Sequence, residues 1–426
     1  MRLRPLCGNT PRSWAPRPDR PFPSGPGLES PPRKPGPQCV AETGAHLNRC
    51  LEQMINVREL LLLARVQGIG PARLRALVSH FGDPRAVLEA SAQALARVHG
   101  IDRITAQSVV SSARAPDSSA HEREVATQLS KLDKAGGRII TFWDPEYPES
   151  LKRIYDPPPY LWVLGTLEPR DASGIAVVGT RSPTPYGLQV AERMSAGLAS
   201  LGLPVVSGLA RGIDTAAHRA AVRAGGRTVA VIGSGIDVIY PPENRGLAQS
   251  IMREGAVISE CEMGARPDAV NFPRRNRLVS GIALGVLVIE TGPEGGAMIT
   301  AHLALDQGRE VFAIPSPVRE GVRSGTNTLI REGKALLVEC LDDLIAELAP
   351  RLAGVIAADT PRPRPVQPDL TLFERRVYDA LDETPVHIDD ISRRSGLSPS
   401  DTLVQLLTLE FKGAVRQMAG KLFART

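Results

Sequence analysis

Three short apolar runs, each ending in glycine, constrain this chain more than any other feature. Ile175-Ala-Val-Val178 runs into Gly179-Thr180-Arg181, Leu203-Pro-Val-Val206 into Ser207-Gly208, and Thr228-Val-Ala-Val-Ile232 into Gly233-Ser234-Gly235. Runs this brief, rich in valine and isoleucine, read as buried parallel strands that turn into helices. Three in succession predict an α/β fold built on a Rossmann-like, doubly wound parallel sheet. In such a sheet the loops at the carboxyl ends of the strands meet helix N-termini with free N–H groups, forming an anion-binding crevice. Further strands are expected at Ala256-Val-Ile-Ser259, Gly285-Val-Leu-Val-Ile289, Glu310-Val-Phe-Ala-Ile314 and Ala335-Leu-Leu-Val338, so that one large domain covers residues 121–345.

The flanking segments read differently. Residues 1–45 are dense in proline, arginine, glycine and serine, too poor in apolar groups to offset the entropy of ordering. A disordered tail over residues 1–50 is expected, unless the chain starts downstream at Met54. Residues 54–115 carry leucines at helical spacing and form an all-helical domain. Inside it, Val66-Gln-Gly-Ile-Gly70 and Val98-His-Gly-Ile-Asp102 resemble the turns of helix-hairpin-helix (SAM-like) modules. Their glycines either aim backbone N–H groups at a DNA phosphate or let two helices pack closely. Residues 114–120 read as a linker, followed by a helix over 121–135 and a strand at Arg138-Ile-Ile-Thr-Phe142. The prolines of residues 144–159 are expected to exclude regular structure and to leave a rigid connector across the sheet edge. A linker over 346–368 leads to a winged helix over 369–426, whose third helix (398–409) holds no basic residue. From Arg362 onward ten basic side chains face nine acidic ones, so protein contact or autoregulation is expected there rather than sequence reading.

The net charge of +5 is carried by residues 1–37, which hold seven basic and two acidic side chains; the remainder is about neutral. Nucleic-acid binding must therefore rest on clustered arginines. Asn271-Phe-Pro-Arg-Arg-Asn-Arg277 is such a cluster, with Phe272 as a stacking platform beside Arg274, Arg275 and Arg277. Arg181, after a glycine turn, suits a phosphate, and the small Ser207 and Gly208 let backbone N–H groups approach a ligand closely. Asp214 and His218 stand four apart like an acid/base pair, but Asp214 is expected to be the N-cap of a helix over 215–224. The loop Gly292-Pro-Glu-Gly-Gly296 resembles that of the nucleoside-monophosphate phosphoribohydrolases, in which a threonine follows the glycines and a glutamate comes three residues later. Here Thr300 is displaced and Leu303 replaces the carboxylate, so Gly295 and Gly296 are expected to open a helix that lines the crevice. Five cysteines without a C-x-x-C pair indicate neither a zinc site nor a disulfide framework, which fits a reducing cytoplasm. No apolar run approaches the roughly 18 residues that span a bilayer.

Taken in order, Val178-Gly-Thr-Arg181, Ser207-Gly-Leu-Ala-Arg-Gly-Ile-Asp214, Phe272-Pro-Arg-Arg-Asn-Arg277 and Gly325-Thr-Asn-Thr-Leu-Ile330 resemble the DNA-processing protein A family, also called Smf. Asp144-Pro-Glu-Tyr-Pro148 and Asp156-Pro-Pro158 look like further family landmarks. The resemblance implies a non-enzymatic recombination mediator of bacterial transformation: a dimer that binds single-stranded DNA without sequence preference and loads the RecA recombinase. The implied DNA-binding set is Gly179, Thr180, Arg181, Ser207, Gly208, Phe272, Arg274, Asn276, Arg277, Gly295 and Gly296, with no catalytic residue, metal or cofactor. Two other classes fit the same sheet: a nucleotide sensor with the winged helix as output, and the phosphoribohydrolase.

Overall fold

The computed structural model describes residues 55–425 apart from 115–117, 319–323, 353–369, 383, 413 and 419. The expected tail over 1–50, the heart of the 114–120 linker and most of the 346–368 linker lie outside the described residues.

Helices come first: α1 (Val57–Ala64), α2 (Pro71–Phe81), α3 (Pro84–Glu89), α4 (Ala92–Leu95), α5 (Arg103–Arg114) and α6 (Ser118–Lys134). The turns before α2 and α5 place Gly68 at φ 87° and Gly100 at φ 81°, a left-handed conformation that glycine adopts without a steric penalty. Arg73 joins the two hairpins, donating to the Gly68 carbonyl and to Thr105 Oγ1, each at 2.9 Å. Leu60, Leu63, Leu74, Leu77 and Val109 fill the space between the helices.

The central elements alternate: β1 (Arg138–Thr141), α7 (Glu149–Lys152), β2 (Tyr160–Gly165), β3 (Ile175–Val178), α8 (Pro185–Ser200), β4 (Val205–Ser207), α9 (Ile213–Arg223), β5 (Thr228–Val231), α10 (Arg245–Glu254), β6 (Ala256–Ser259), α11 (Asn271–Ile282), β7 (Gly285–Val288), α12 (Gly296–Asp306), β8 (Glu310–Ala313), α13 (Gly325–Arg331), β9 (Leu336–Leu337) and α14 (Leu341–Leu352). They build one sheet in the order β1-β2-β6-β5-β4-β3-β7-β8-β9. The strands from β6 to β9 in that order run parallel, while β1 and β2 are an antiparallel addition at one edge. Because side chains alternate along a strand, Ala176 and Val178 of β3 pack toward α11 and α12, whereas Ile175 and Val177 pack toward α8 and α9. This is the doubly wound Rossmann-like sheet that the valine runs predicted.

One expectation fails in the proline-rich connector. Glu149–Lys152 makes a helical turn there, because Pro148 precedes the turn rather than interrupting it. Leu151 and Ile154 then pack onto Gly281 of α11, and Ser150 Oγ donates to the Ile282 carbonyl at 2.9 Å. The connector thus packs on a helix of the crevice.

The last module holds α15 (Leu372–Asp379), β10 (Val386–His387), α16 (Ile388–Ser395), α17 (Pro399–Phe411), β11 (Val415–Met418) and β12 (Leu422–Arg425). Its sheet runs β10-β12-β11, and Val377, Ile391, Leu406 and Phe423 form its own core, the winged-helix arrangement expected.

Candidate nucleic-acid interface

The strand order of the sheet reverses between β3 and β7, and ligands of such sheets bind outside the carboxyl ends of the strands at that switch point. A cavity of about 570 Å³ opens there. Eight of the eleven residues singled out from sequence line it: Gly179, Thr180, Arg181, Gly208, Phe272, Asn276, Gly295 and Gly296. Ser207, Arg274 and Arg277 do not.

The reason lies in α11. The segment Phe272–Arg277 forms the first turns of this helix, with Pro273 where an N–H would have no helical partner anyway. At 3.6 residues per turn, Phe272, Arg275, Asn276 and Val279 fall on the crevice side, while Arg274 and Arg277 are turned away. Arg277 pairs with Glu260 and donates to the Asp156 carbonyl, which ties α11 to the connector. Arg274 remains 58% exposed, with Glu260 3.9 Å away. Burial raises the Glu260 carboxyl pKa, against the opposing pull of Arg277 and Arg274.

Arg181 is exposed and stands over the Phe272 ring at 5.0 Å; among the described residues it has no carboxylate partner. A cation resting on a ring face is attracted to it while its remaining donors stay free. Beneath it, Arg275 is buried, donates to the Val231 carbonyl, and has its pKa lowered by burial to about 10, so it stays charged at neutral pH. A Cβ at Gly208 would collide with that guanidinium, so glycine here makes room for the arginine.

Three expected roles change. Asp214 is not an N-cap: the cap position of α9 is Gly212 at φ 77°, and Asp214 lies inside the helix. Its carboxylate instead accepts from the N–H groups of Gly208 at 3.2 Å and Ala210 at 3.4 Å, closing the loop after β4. Burial raises its pKa, with Arg275 as the main counterweight. The Gly208 N–H is therefore already occupied, and Ser207 Oγ donates to the Val177 carbonyl at 2.6 Å. His218 is buried, pairs through Nδ1 with Thr228 Oγ1 at 2.7 Å, and burial lowers its pKa to about 3, so it is neutral. The two residues do not form an acid/base pair. The N-terminus of α12 after Gly295 carries no side-chain cap, so its first N–H groups are open.

Sequence reading missed Tyr240, whose ring lies 6.1 Å from that of Phe272, with Arg211 5.9 Å above it. No motif marked it, since it meets the crevice only through the fold. Thr300 does line the cavity, but Leu303 brings no carboxylate to it. Among the described residues no cluster of His, Cys, Asp and Glu could hold a metal, and no helix is long and apolar enough to cross a membrane.

Fold and crevice together define a three-module class: a helix-hairpin-helix pair, a Rossmann-like sheet with a crevice at its switch point, and a winged helix. Residues 138–349 match the family described as DNA recombination-mediator protein A, residues 361–421 the DprA winged helix domain, and residues 60–115 the SAM-like helix-hairpin-helix tandem. Protein Smf of Synechocystis is 32% identical over 397 residues, covering 86% of this chain and 98% of that relative. The putative DNA processing protein DprA of Mycobacterium tuberculosis is 39% identical over 313 residues, covering 70% of this chain and 79% of that protein. The X-ray structure of DprA from Streptococcus pneumoniae superposes with a TM-score of 0.58 at 32% identity, over 69% of this chain and 99% of that one. The chain belongs to the DNA-processing protein A (DprA/Smf) family, as its motifs indicated.

Proposed function

We propose that the crevice binds single-stranded DNA without sequence preference, and that the protein acts in transformation as a recombination mediator that loads RecA. The observation that carries this is Arg181, an exposed guanidinium with no carboxylate partner among the described residues, stacked on Phe272 at the mouth of the cavity. Phosphate would meet Arg181 and the open N-terminus of α12, while Phe272 and Asn276 would face the nucleoside. Arg275 supplies fixed positive charge from below, Arg274 reaches the margin, and Arg277 positions α11. Among the described residues, the one carboxylate lining the cavity, Asp214, already accepts two N–H groups. That favours a binding role over the hydrolase.

In this reading the protein works as a homodimer in the cytoplasm. The edge strand β9 supports a pairing surface, since Leu336 and Leu337 are 43% and 49% exposed. RecA loading rests on family membership and is tested by RecA filament formation on protein-coated single strands. For the crevice, fluorescence anisotropy with oligo-dT is the test: Arg181→Ala should weaken binding about tenfold and reduce the log–log salt slope by about 0.7, one phosphate contact's share. Unchanged affinity and slope would remove the reading. A mononucleotide that displaces oligo-dT would favour the sensor instead.

A further inference from the structure

A second cavity, of about 300 Å³, lies beside the crevice and shares Thr180, Thr291 and Gly292 with it. The two therefore share a wall and lie side by side. Their linings differ in kind. Among the described residues, the crevice has two arginines and an open helix N-terminus, whereas the second cavity has the hydroxyls of Ser182, Thr184, Ser316 and Ser324, the Tyr186 ring and the Glu290 carboxylate, with no basic side chain. Among the described residues, a phosphate placed there would meet a carboxylate and no cation. The ring of Tyr186 is 46% exposed and, among the described residues, has neither an aromatic neighbour nor a hydrogen-bond partner. Glu290 is held in place by Thr184, whose N–H and Oγ1 donate to it at 3.1 and 2.9 Å. A carboxylate has about four acceptor sites, so it keeps capacity for further donors.

We propose that this second cavity is a nucleobase subsite for the nucleotide next along the strand, with Tyr186 as its stacking face and Glu290 as acceptor for exocyclic amino groups. It rests on the reading of the crevice as a single-strand site. A segment that offers an aromatic ring and an acceptor, beside a cationic one, lets a strand put its base on the first and its backbone on the second. The bases that offer Glu290 an amino group are cytosine, adenine and guanine; thymine offers none. The groove would therefore tolerate all sequences and still hold oligo-dC more tightly than oligo-dT of equal length.

The test measures anisotropy with oligo-dC and oligo-dT of graded length, for the wild type, Tyr186→Ala, Glu290→Gln and, separately, Arg181→Ala. Tyr186→Ala should lose about fivefold or more on long oligomers, the usual effect of losing one stacking platform, and nothing on a dinucleotide that fills only the crevice. Glu290→Gln should abolish the preference for oligo-dC. Equal affinity of Tyr186→Ala and wild type at every length overturns the subsite, and because Tyr186 is exposed this holds even if the Glu290 variant does not fold. A loss with Arg181→Ala but none with Tyr186→Ala removes only the subsite. Silence of both variants removes the crevice reading beneath it.

Discussion

Two helices of this protein stand where a helix could meet nucleic acid, α11 in the crevice and α17 in the winged helix, and they are built on opposite plans. α11 carries three arginines within four positions and sends them to three fates. Arg274 is exposed, Arg275 is buried under the site and Arg277 is pinned to Glu260. α17 carries no basic side chain and leaves Leu403, Val404 and Leu407 exposed by 42%, 57% and 42%. The contrast teaches that arginine count does not locate a phosphate site. Within α11 the helical period decides which side chain is available. On α17 the reading face is apolar, which fits contact with protein better than contact with a duplex.

The comparison breaks most readily at Arg275. Arg275→Leu leaves Asp214 buried without its counterweight, and should lower unfolding stability by about 3 kcal/mol, read from denaturant midpoints. Adding Asp214→Asn should recover part of that loss. No recovery would mean that Arg275 matters only for packing. Next in size is a pH effect in the crevice module. The pKa of His218 is lowered to about 3 in the folded protein from an ordinary 6.5. Its contribution is therefore present above the ordinary value and is lost as pH falls from about 6.5 toward 3, at up to about 1.4 kcal/mol per pH unit. His218→Asn should flatten that slope in thermal melts. The smallest effect sharpens the other half of the contrast. Val404→Lys with Leu407→Lys should raise duplex affinity only about threefold and steepen its salt slope by about two, as two added phosphate contacts would. A larger gain would make α17 a latent duplex reader.

The sheet was legible in the sequence because its determinants are local. Ile175–Val178 and Thr228–Val231 are valine-rich runs closed by glycine, and they form strands where expected. The crevice was legible for a related reason, since glycine turns after strands can lie only at the sheet's carboxyl edge. The errors fall where a distant partner decides. Asp214 looked like a cap because the residues after it are helical, yet the left-handed turn at Gly212 starts the helix earlier and frees the carboxylate for the loop after β4. Arg277 looked like a phosphate ligand until the fold brought Glu260 and the Asp156 carbonyl to it. Tyr240 reaches Phe272 from thirty-two positions away in the chain, a distance no periodicity spans.

The turn at Asp156 and Pro157 is gripped from two sides. Arg75 of the helical module bonds the Pro157 carbonyl and lies 3.6 Å from the Asp156 carboxylate, while Arg277 of α11 takes the Asp156 carbonyl. One short peptide is thus a common anchor of two modules that also share apolar contacts, Leu61 and Val125 of the helices packing with Trp162 of the sheet. The N-terminal helices act as a splint for the wall of the groove, and a shift of those helices would be transmitted through three bonds to the helix that carries Phe272.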